Sequence, residues 1–313
     1  MTIFTFKHHF NRLGVVILAA VFLSGCGLYS GLSRTTEKIG QSISGSDGSF
    51  RKKVGIVSLN NLAANAKGAL AEQIQTDFQK KLKDSCADVL WVGPGVPNYP
   101  DFIRNPALSP SKDFDNLALA NAARKSGYQA ILQLSLLNID VHQYDKGVLW
   151  FKKTQQNGRL LWSVVIYDSE TSAKLLNSSH PYDFKIDSND IEAIRQAKLN
   201  EVSGLPDAID RSLAEVSKEI CKSLGQTAWK GFITQVSDGV ITLSSGADAG
   251  LKVGQELTAY APGETISGVA GRSYLLQGKK VGKIRITRVS GDQAVAEPIG
   301  NAAVESGGMV QVR

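Results

Sequence analysis

Three cysteines carry the most distinctive chemistry in this chain of 313 residues. Cys26 follows an apolar run over residues 13–23 that has a short basic start, and this pattern is typical of an export signal. A thiol at the end of such a segment is a nucleophile available for covalent modification. Cys86 and Cys221 lie far downstream and require a separate explanation.

The segment Leu23-Ser24-Gly25-Cys26 resembles the lipobox of bacterial lipoproteins. The resemblance implies that residues 1–25 are a signal peptide and that Cys26 carries acyl chains, which together suffice for stable membrane anchoring. Gly27 stands where such lipoproteins carry Asp when they are retained in the inner membrane. We therefore expect a lipid anchor in the outer membrane, with the chain facing the periplasm. The alternatives are an ordinary signal peptide and a buried helix with an unrelated cysteine.

Composition excludes several classes of protein. With 42% hydrophobic, 20% charged and 7% aromatic residues, the chain is neither a polytopic membrane protein nor wholly disordered. The net charge of +6 is not clustered, so we expect no nucleic-acid partner. Residues 27–50 hold five Gly and six Ser, and we expect residues 26–50 to be the lipidated Cys and a flexible linker.

The sequence offers little for catalysis. After signal cleavage only His142 and His180 remain, far apart and without Cys or His neighbours. There is no phosphate-binding Gly-rich loop and no Gly-x-Ser-x-Gly elbow. Asp183, Asp187 and Asp190 lack the spacing of a calcium loop and fit the start of a helix better. We expect no enzymatic activity, no metal site and no cofactor.

Hydrophobic periodicity divides the remaining chain into two domains. Residues 51–227 predict an α/β sandwich domain with the order β-α-β-α-β-β-β-α. Residues 228–313 show about five short strands, with a polar, Gly-rich loop over 262–280, and predict a small barrel or sandwich. The fold class is therefore α+β, with a sandwich domain followed by a small, barrel-like all-β domain.

Within the first domain, Asn157-Gly158 predicts a type I′ turn that joins strands over 148–154 and 159–167. Trp150 then lies beside Lys152 on the face away from the core. An exposed Trp with cationic neighbours is common in binding hot spots, so these two residues are candidates for partner contact. The alternative is that a helix covers this face. The predicted core face comprises Leu149, Phe151, Leu160, Trp162, Val164 and Ile166.

The order of elements, together with two motifs, resembles a family of envelope proteins. The motifs are the segment 127–132 and the turn Asp168-Ser-Glu-Thr171-Ser172-Ala-Lys-Leu175, in which Ser172 stands where the family usually has Gly. The family includes the curli secretion-channel lipoprotein, the lipoprotein activator of a penicillin-binding protein and the N-terminal domain of the Tol translocation protein. A secretion pore needs spanning strands of about 9–11 residues, and polar residues after position 151 interrupt this hairpin.

The second domain resembles the C-terminal domain of flagellar assembly protein T. The resemblance rests on Gly250-Leu-Lys-Val-Gly254 and on the closing strand Gly307-Gly-Met-Val310. It implies a place in a flagellar or secretion-associated assembly.

Cys86 and Cys221 fall near the ends of the first and last predicted helices of the α/β domain. If those helices pack side by side, the two thiols form a disulfide in the oxidising periplasm. Two separate buried thiols are the alternative, and the sequence leaves both open.

These observations predict a non-enzymatic lipoprotein that acts as an accessory or assembly factor of a flagellar or secretion-associated envelope complex. An activator of a peptidoglycan synthase is the alternative, and a curli-type export pore is a third hypothesis. The expected partners are the outer membrane and an envelope protein complex, and a ring of identical copies is a further hypothesis.

Overall fold

The structure is a computed structural model that describes residues 50–61, 68–148, 150 and 152–312. The predicted signal peptide, Cys26 and the Gly/Ser-rich linker before residue 50 lie outside the described residues. A sheet with helices on both faces spans Lys52–Gly225 and is called the sheet lobe below. A closed barrel spans Lys230–Gln311 and is called the barrel lobe.

The sheet lobe is built on a mixed sheet. Its strands are β1 (Lys52–Ile56), β2 (Asn60–Asn61), β3 (Val89–Val92), β4 (Ala130–Lys146), β5 (Lys153–Asp168) and β6 (Lys174–Lys185). The strand order is β3-β1-β4-β5-β6, and β2 pairs with β4. β1 is parallel to both of its neighbours, whereas β4, β5 and β6 are antiparallel. The α-helices are α1 (Ala69–Ser85), α2 (Asp101–Arg104), α3 (Asn116–Lys125), α4 (Ser188–Arg195) and α5 (Leu205–Gly225).

Side chains alternate across this sheet and form two apolar layers. Leu132 and Trp162 face the layer that contains α1, α4 and α5, and the Trp162 indole donates a hydrogen bond to Ser212 Oγ at 3.1 Å. Ile131 and Tyr167 face the opposite layer, which contains α2 and α3. The helices therefore cover both faces of the sheet and leave β3 and β6 as its edges.

The barrel lobe confirms the predicted α+β class with a barrel-like part. Its strands in chain order are β7 (Lys230–Ser237), β8 (Val240–Leu243), β9 (Glu256–Tyr260), β10 (Thr265–Ser267), β11 (Ser273–Leu275), β12 (Lys280–Val289), β13 (Ala294–Ile299) and β14 (Met309–Gln311). Six of them close in the order β12-β13-β8-β7-β14-β9. The predicted loop over 262–280 is wrong in one respect, because it contains the separate β10–β11 hairpin.

The position of the long hairpin differs from the prediction. β5 runs straight through Asn157-Gly158, and the chain turns within residues 147–152 instead. Gly158 is required for packing and not for a turn, because a Cβ built there would lie 2.3 Å from the ring of Phe184 on β6. Close approach of a neighbouring ring is a recognised reason for Gly inside a strand. Four of the predicted core residues lie on β5 and are nevertheless fully buried, namely Leu160, Trp162, Val164 and Ile166. The other two, Leu149 and Phe151, lie outside the described residues.

Aspartates cap the starts of two helices. Asp115 caps α3, and its side chain accepts a hydrogen bond from the Ala118 amide at 3.0 Å. Asp187 and Asp190 form a reciprocal capping box at the start of α4.

A disulfide joins the two helices that flank the main apolar layer. Cys86 caps the end of α1 and Cys221 lies in the last turns of α5, and their Cα atoms are 5.6 Å apart. The bond links residues separated by 135 positions in the chain. It therefore removes much conformational freedom from the unfolded chain.

We predict that the double variant Cys86→Ala/Cys221→Ala loses about 4–5 kcal/mol of unfolding free energy, the chain-entropy value for a loop of this length. Urea unfolding followed by circular dichroism measures the loss. Reductant should destabilise the wild type and leave the double variant unchanged. An unchanged midpoint for the reduced wild type would contradict the prediction.

Candidate functional site

The residues considered for catalysis or metal binding from the sequence have separate structural partners. His142 lies on β4 and stacks with Tyr144 at a ring distance of 6.3 Å, whereas His180 lies on β6, 3.1 Å from Glu219. Asp183 accepts two hydrogen bonds from Arg159, which hold the pKa of its carboxyl below the usual value. Within the described residues no group of three or more His, Cys, Asp or Glu side chains could hold a metal ion.

Buried polar contacts fix the two lobes to each other. Lys230, at the start of β7, forms an ion pair with Glu170, and both side chains are largely buried. Burial lowers the pKa of the Lys230 ammonium, and the nearby Asp168 acts in the opposite direction. Lys52 on β1 donates hydrogen bonds to the carbonyls of Leu224 and Thr227, where α5 ends and the chain enters the barrel.

The β10–β11 hairpin forms a second contact with the sheet lobe. Its Leu275 amide donates to the Thr171 carbonyl at 2.9 Å, and Arg272 lies 3.1 Å from Asp113. Ser172 has a left-handed backbone with φ of 58° and donates its hydroxyl to the Ser273 carbonyl at 2.8 Å. This bond gives a physical reason for Ser at the position where the resembling family usually has Gly.

A third contact depends on the absence of a side chain. Gly127 has φ of 75°, and a Cβ built on it would lie 1.8 Å from the carbonyl oxygen of Ser244 in the barrel lobe. Arg124 stacks on the ring of Phe232 at 5.2 Å, and Ser244 Oγ donates to the Arg124 carbonyl at 2.9 Å. The end of α3 therefore packs directly on the barrel backbone.

These contacts enclose a cleft of about 420 Å³ between β3 and the barrel lobe, called the junction cleft below. All four residues of β3 line it, and β3 pairs with β1 on one side and with no other described strand. The indole nitrogen of Trp91 is buried there without a hydrogen-bond partner among the described residues.

The junction cleft carries charge on both walls. Lys53 lies on the sheet side, and Asp248 and Asp292 lie on the barrel side. Burial lowers the pKa of the Lys53 ammonium, while the two aspartates act against that shift. Apolar β3 side chains between charged walls suit an extended polypeptide, whose backbone is polar and whose side chains alternate. Sequence patterns missed this site because its residues come from five distant segments of the chain.

The residues predicted for partner contact lie elsewhere. Trp150 and Lys152 belong to the turn between β4 and β5, not to a strand as predicted, and the Trp150 side chain is 79% exposed. Val148 in the same turn is 76% exposed. The structure thus brings Trp150 and Lys152 together at one hairpin tip and joins Cys86 to Cys221, while Cys26 lies outside the described residues.

Comparisons with known proteins show only remote similarity. No family model and no curated protein matches the sequence. The hypothetical protein CT253 from Chlamydia trachomatis is 14% identical, with 55% of this chain and 99% of that chain covered and a TM-score of 0.32. The lipoprotein GNA1162 from Neisseria meningitidis is 12% identical over 48% of this chain and 96% of its own, with a TM-score of 0.28.

TolB from Acinetobacter baumannii is 10% identical, with 82% of this chain and 62% of that chain covered and a TM-score of 0.27. Similarities of this size carry no inference about function, and they do not identify the specific families that the sequence motifs resemble. The described part of the chain contains no helix that is long and apolar enough to cross a membrane.

We predict that removing one charge of the Lys230–Glu170 ion pair strongly lowers the stability of the fold. Lys230→Met or Glu170→Gln should each lower the unfolding free energy by about 3–5 kcal/mol, because the remaining charge stays buried without its partner. The double variant should lose clearly less than the sum of the two. Chemical denaturation of the full chain measures all three.

The matched control is Lys283→Gln, which breaks the exposed pair with Glu256 at 3.1 Å on the barrel. An exposed ion pair contributes little to the unfolding free energy, so this variant should unfold at almost the same denaturant concentration as the wild type. Equal losses for Lys283→Gln and Lys230→Met would contradict the role assigned to the buried pair.

Proposed function

We propose that this protein is an outer-membrane-anchored periplasmic lipoprotein that acts without catalysis, as an assembly factor of an envelope protein complex. In this proposal the junction cleft binds an extended segment of a partner protein. The observation that carries the proposal is the cleft itself, which all four residues of the edge strand β3 line together with residues of the barrel lobe.

The chemistry of a sheet edge supports this kind of partner. The outer edge of a strand presents backbone N–H and C=O groups that can pair with an added strand. Pockets beside the edge then select side chains, and here Leu90 and Trp91 supply apolar contacts while Asp248 and Asp292 supply negative charge. Because Arg51, Lys53 and Lys83 also line the cleft, a partner segment with alternating apolar and charged residues of both signs fits these walls.

Anchoring follows from the lipobox resemblance at Cys26. Acyl chains on that residue hold the chain at the inner leaflet of the outer membrane, where an envelope complex is within reach. Binding at a fixed location raises the effective concentration of the partner without any new contact.

We predict that Cys26→Ser abolishes incorporation of labelled palmitate and moves the protein out of the outer-membrane fraction. The hydroxyl cannot replace the thiolate as the nucleophile that takes up the acyl-bearing diacylglyceryl group as a thioether. Autoradiography of the purified full chain and membrane fractionation measure the two effects, with Ser42→Ala in the predicted linker as the control. Palmitate on the Cys26→Ser variant would refute the anchor.

We predict that a photo-reactive phenylalanine analogue at Leu90 in the junction cleft cross-links the full chain to one protein partner in cells. The same analogue at Glu215, on an exposed turn of α5, is the control and should give no such adduct. Equal adducts at both positions, or none at Leu90, would contradict the proposed cleft function.

The partner's identity separates the candidate complexes. A flagellar or secretion component in the Leu90 adduct, with loss of motility or secretion on deletion, favours the first hypothesis. A peptidoglycan synthase in the adduct, with sensitivity to cell-wall antibiotics on deletion, favours the alternative. A second copy of this chain in the adduct favours a ring.

A further inference from the structure

The tip of the β4–β5 hairpin has an unusual composition for an exposed turn. Residues 146–153 read Lys-Gly-Val-Leu-Trp-Phe-Lys-Lys, so that four consecutive apolar residues stand between lysines. Val148 and Trp150 are more than three-quarters exposed, and Lys146, Lys152 and Lys153 are exposed as well. Exposed apolar clusters with a polar rim mark interaction sites.

The hairpin holds this tip away from the rest of the sheet. Towards the tip, the pairing of β6 with β5 ends at Asn157. Beyond that point only β4 and β5 pair, over four residue pairs from Gln143–Gln156 to Lys146–Lys153, and they form a two-stranded stem. At about 3.4 Å per residue, the stem extends about 14 Å beyond the end of β6. Polar cross-strand bonds stiffen it, from Tyr144 to Gln155 at 2.9 Å and from Thr154 to Asp145 at 3.0 Å.

We propose that the hairpin tip is a lipid-binding site that inserts Val148 and Trp150 into the interfacial region of an anionic bilayer. The lysines on both sides of the tip then lie at the depth of the lipid phosphates. This contact needs no acyl chain and goes beyond the proposed function.

Three features favour a lipid surface over a protein partner. The apolar cluster is confined to one turn, whereas a stable protein interface buries about 800 Å² per partner. Trp prefers the membrane interface because its ring is apolar and its N–H is polar. The lysines at 146, 152 and 153 complement anionic headgroups, and each adds attraction near such a surface.

The stem limits how deeply the tip can enter. Gln143, Asp145, Thr154 and Gln155 are polar and lie immediately behind the tip, where hydrocarbon would strip them of water. The hairpin therefore enters the interface and does not span the bilayer.

Quenching of tryptophan fluorescence by brominated lipid tests the proposal on the full chain. Vesicles of phosphatidylcholine and phosphatidylglycerol with brominated acyl chains quench only rings that reach the acyl region. The chain has four Trp residues, so each signal is identified by substitution. We expect Trp150→Phe to remove most of the bromolipid quenching and Trp91→Phe, in the junction cleft, to leave it intact.

Charge dependence supplies the second part of the test. Replacing the tip lysines in the triple variant Lys146→Gln/Lys152→Gln/Lys153→Gln should abolish most of the quenching, as should vesicles of phosphatidylcholine alone. The matched control is Lys252→Gln/Lys279→Gln/Lys280→Gln, which removes three exposed barrel lysines and should quench like the wild type.

Equal quenching in Trp150→Phe and wild type would overturn the lipid proposal, and so would a photo-reactive group at Trp150 that cross-links to protein and never to lipid. These outcomes are independent of the proposed function. Loss of palmitate labelling or of the Leu90 adduct bears on the anchor and the cleft, and it does not change what brominated lipid reports on Trp150.

Discussion

The fixed junction between the sheet lobe and the barrel lobe is the constraint on which the other features of this protein depend. Lys52 holds the end of α5, and the buried pair of Lys230 and Glu170 holds the first barrel strand. A buried ion pair is sensitive to geometry, because its attraction offsets the cost of desolvation only at close range. The junction cleft exists because this geometry keeps one barrel wall opposite β3.

The two surfaces proposed for binding use different physics. The junction cleft combines the residues of an edge strand with charged walls, which suits a polypeptide of matching pattern. The hairpin tip presents a few apolar residues between lysines, which suits a lipid interface. Together with the proposed acyl anchor, the tip would orient the chain on the membrane and leave the cleft accessible to a partner.

Sequence patterns predicted the parts of the fold that local chemistry determines. Alternation along β5 predicted Leu160, Trp162, Val164 and Ile166 as core residues, and a series of short strands predicted a barrel-like second part. The pattern failed at Gly158, because Asn-Gly is a turn signal only when no side chain from another strand needs the space. Here Phe184 of β6, which is distant in the chain, occupies it. The turn signal at Asn157-Gly158 therefore wrongly places Trp150 and Lys152 in a strand.

The junction could not be predicted because its members come from distant segments. Nothing near Ser172 in the chain indicates that its hydroxyl bonds the Ser273 carbonyl, 101 positions later. The local sign in the sequence is Ser172 at a position where Gly is usual, and the structure gives this Ser a left-handed backbone. Likewise, nothing near Glu170 or Lys230 in the chain indicates that their side chains form a buried ion pair.

A distance measurement between the lobes tests the central claim most directly. Asp84 on α1 and Lys252 in the barrel lobe are both exposed and belong to different lobes, so each can be replaced by a spin-labelled cysteine. Pulsed electron paramagnetic resonance on the full chain should give one narrow distribution of distances between the two labels. Its width should be no greater than the motion of the label side chains alone produces. A broad or two-peaked distribution would show that the lobes move independently, and it would contradict a fixed cleft.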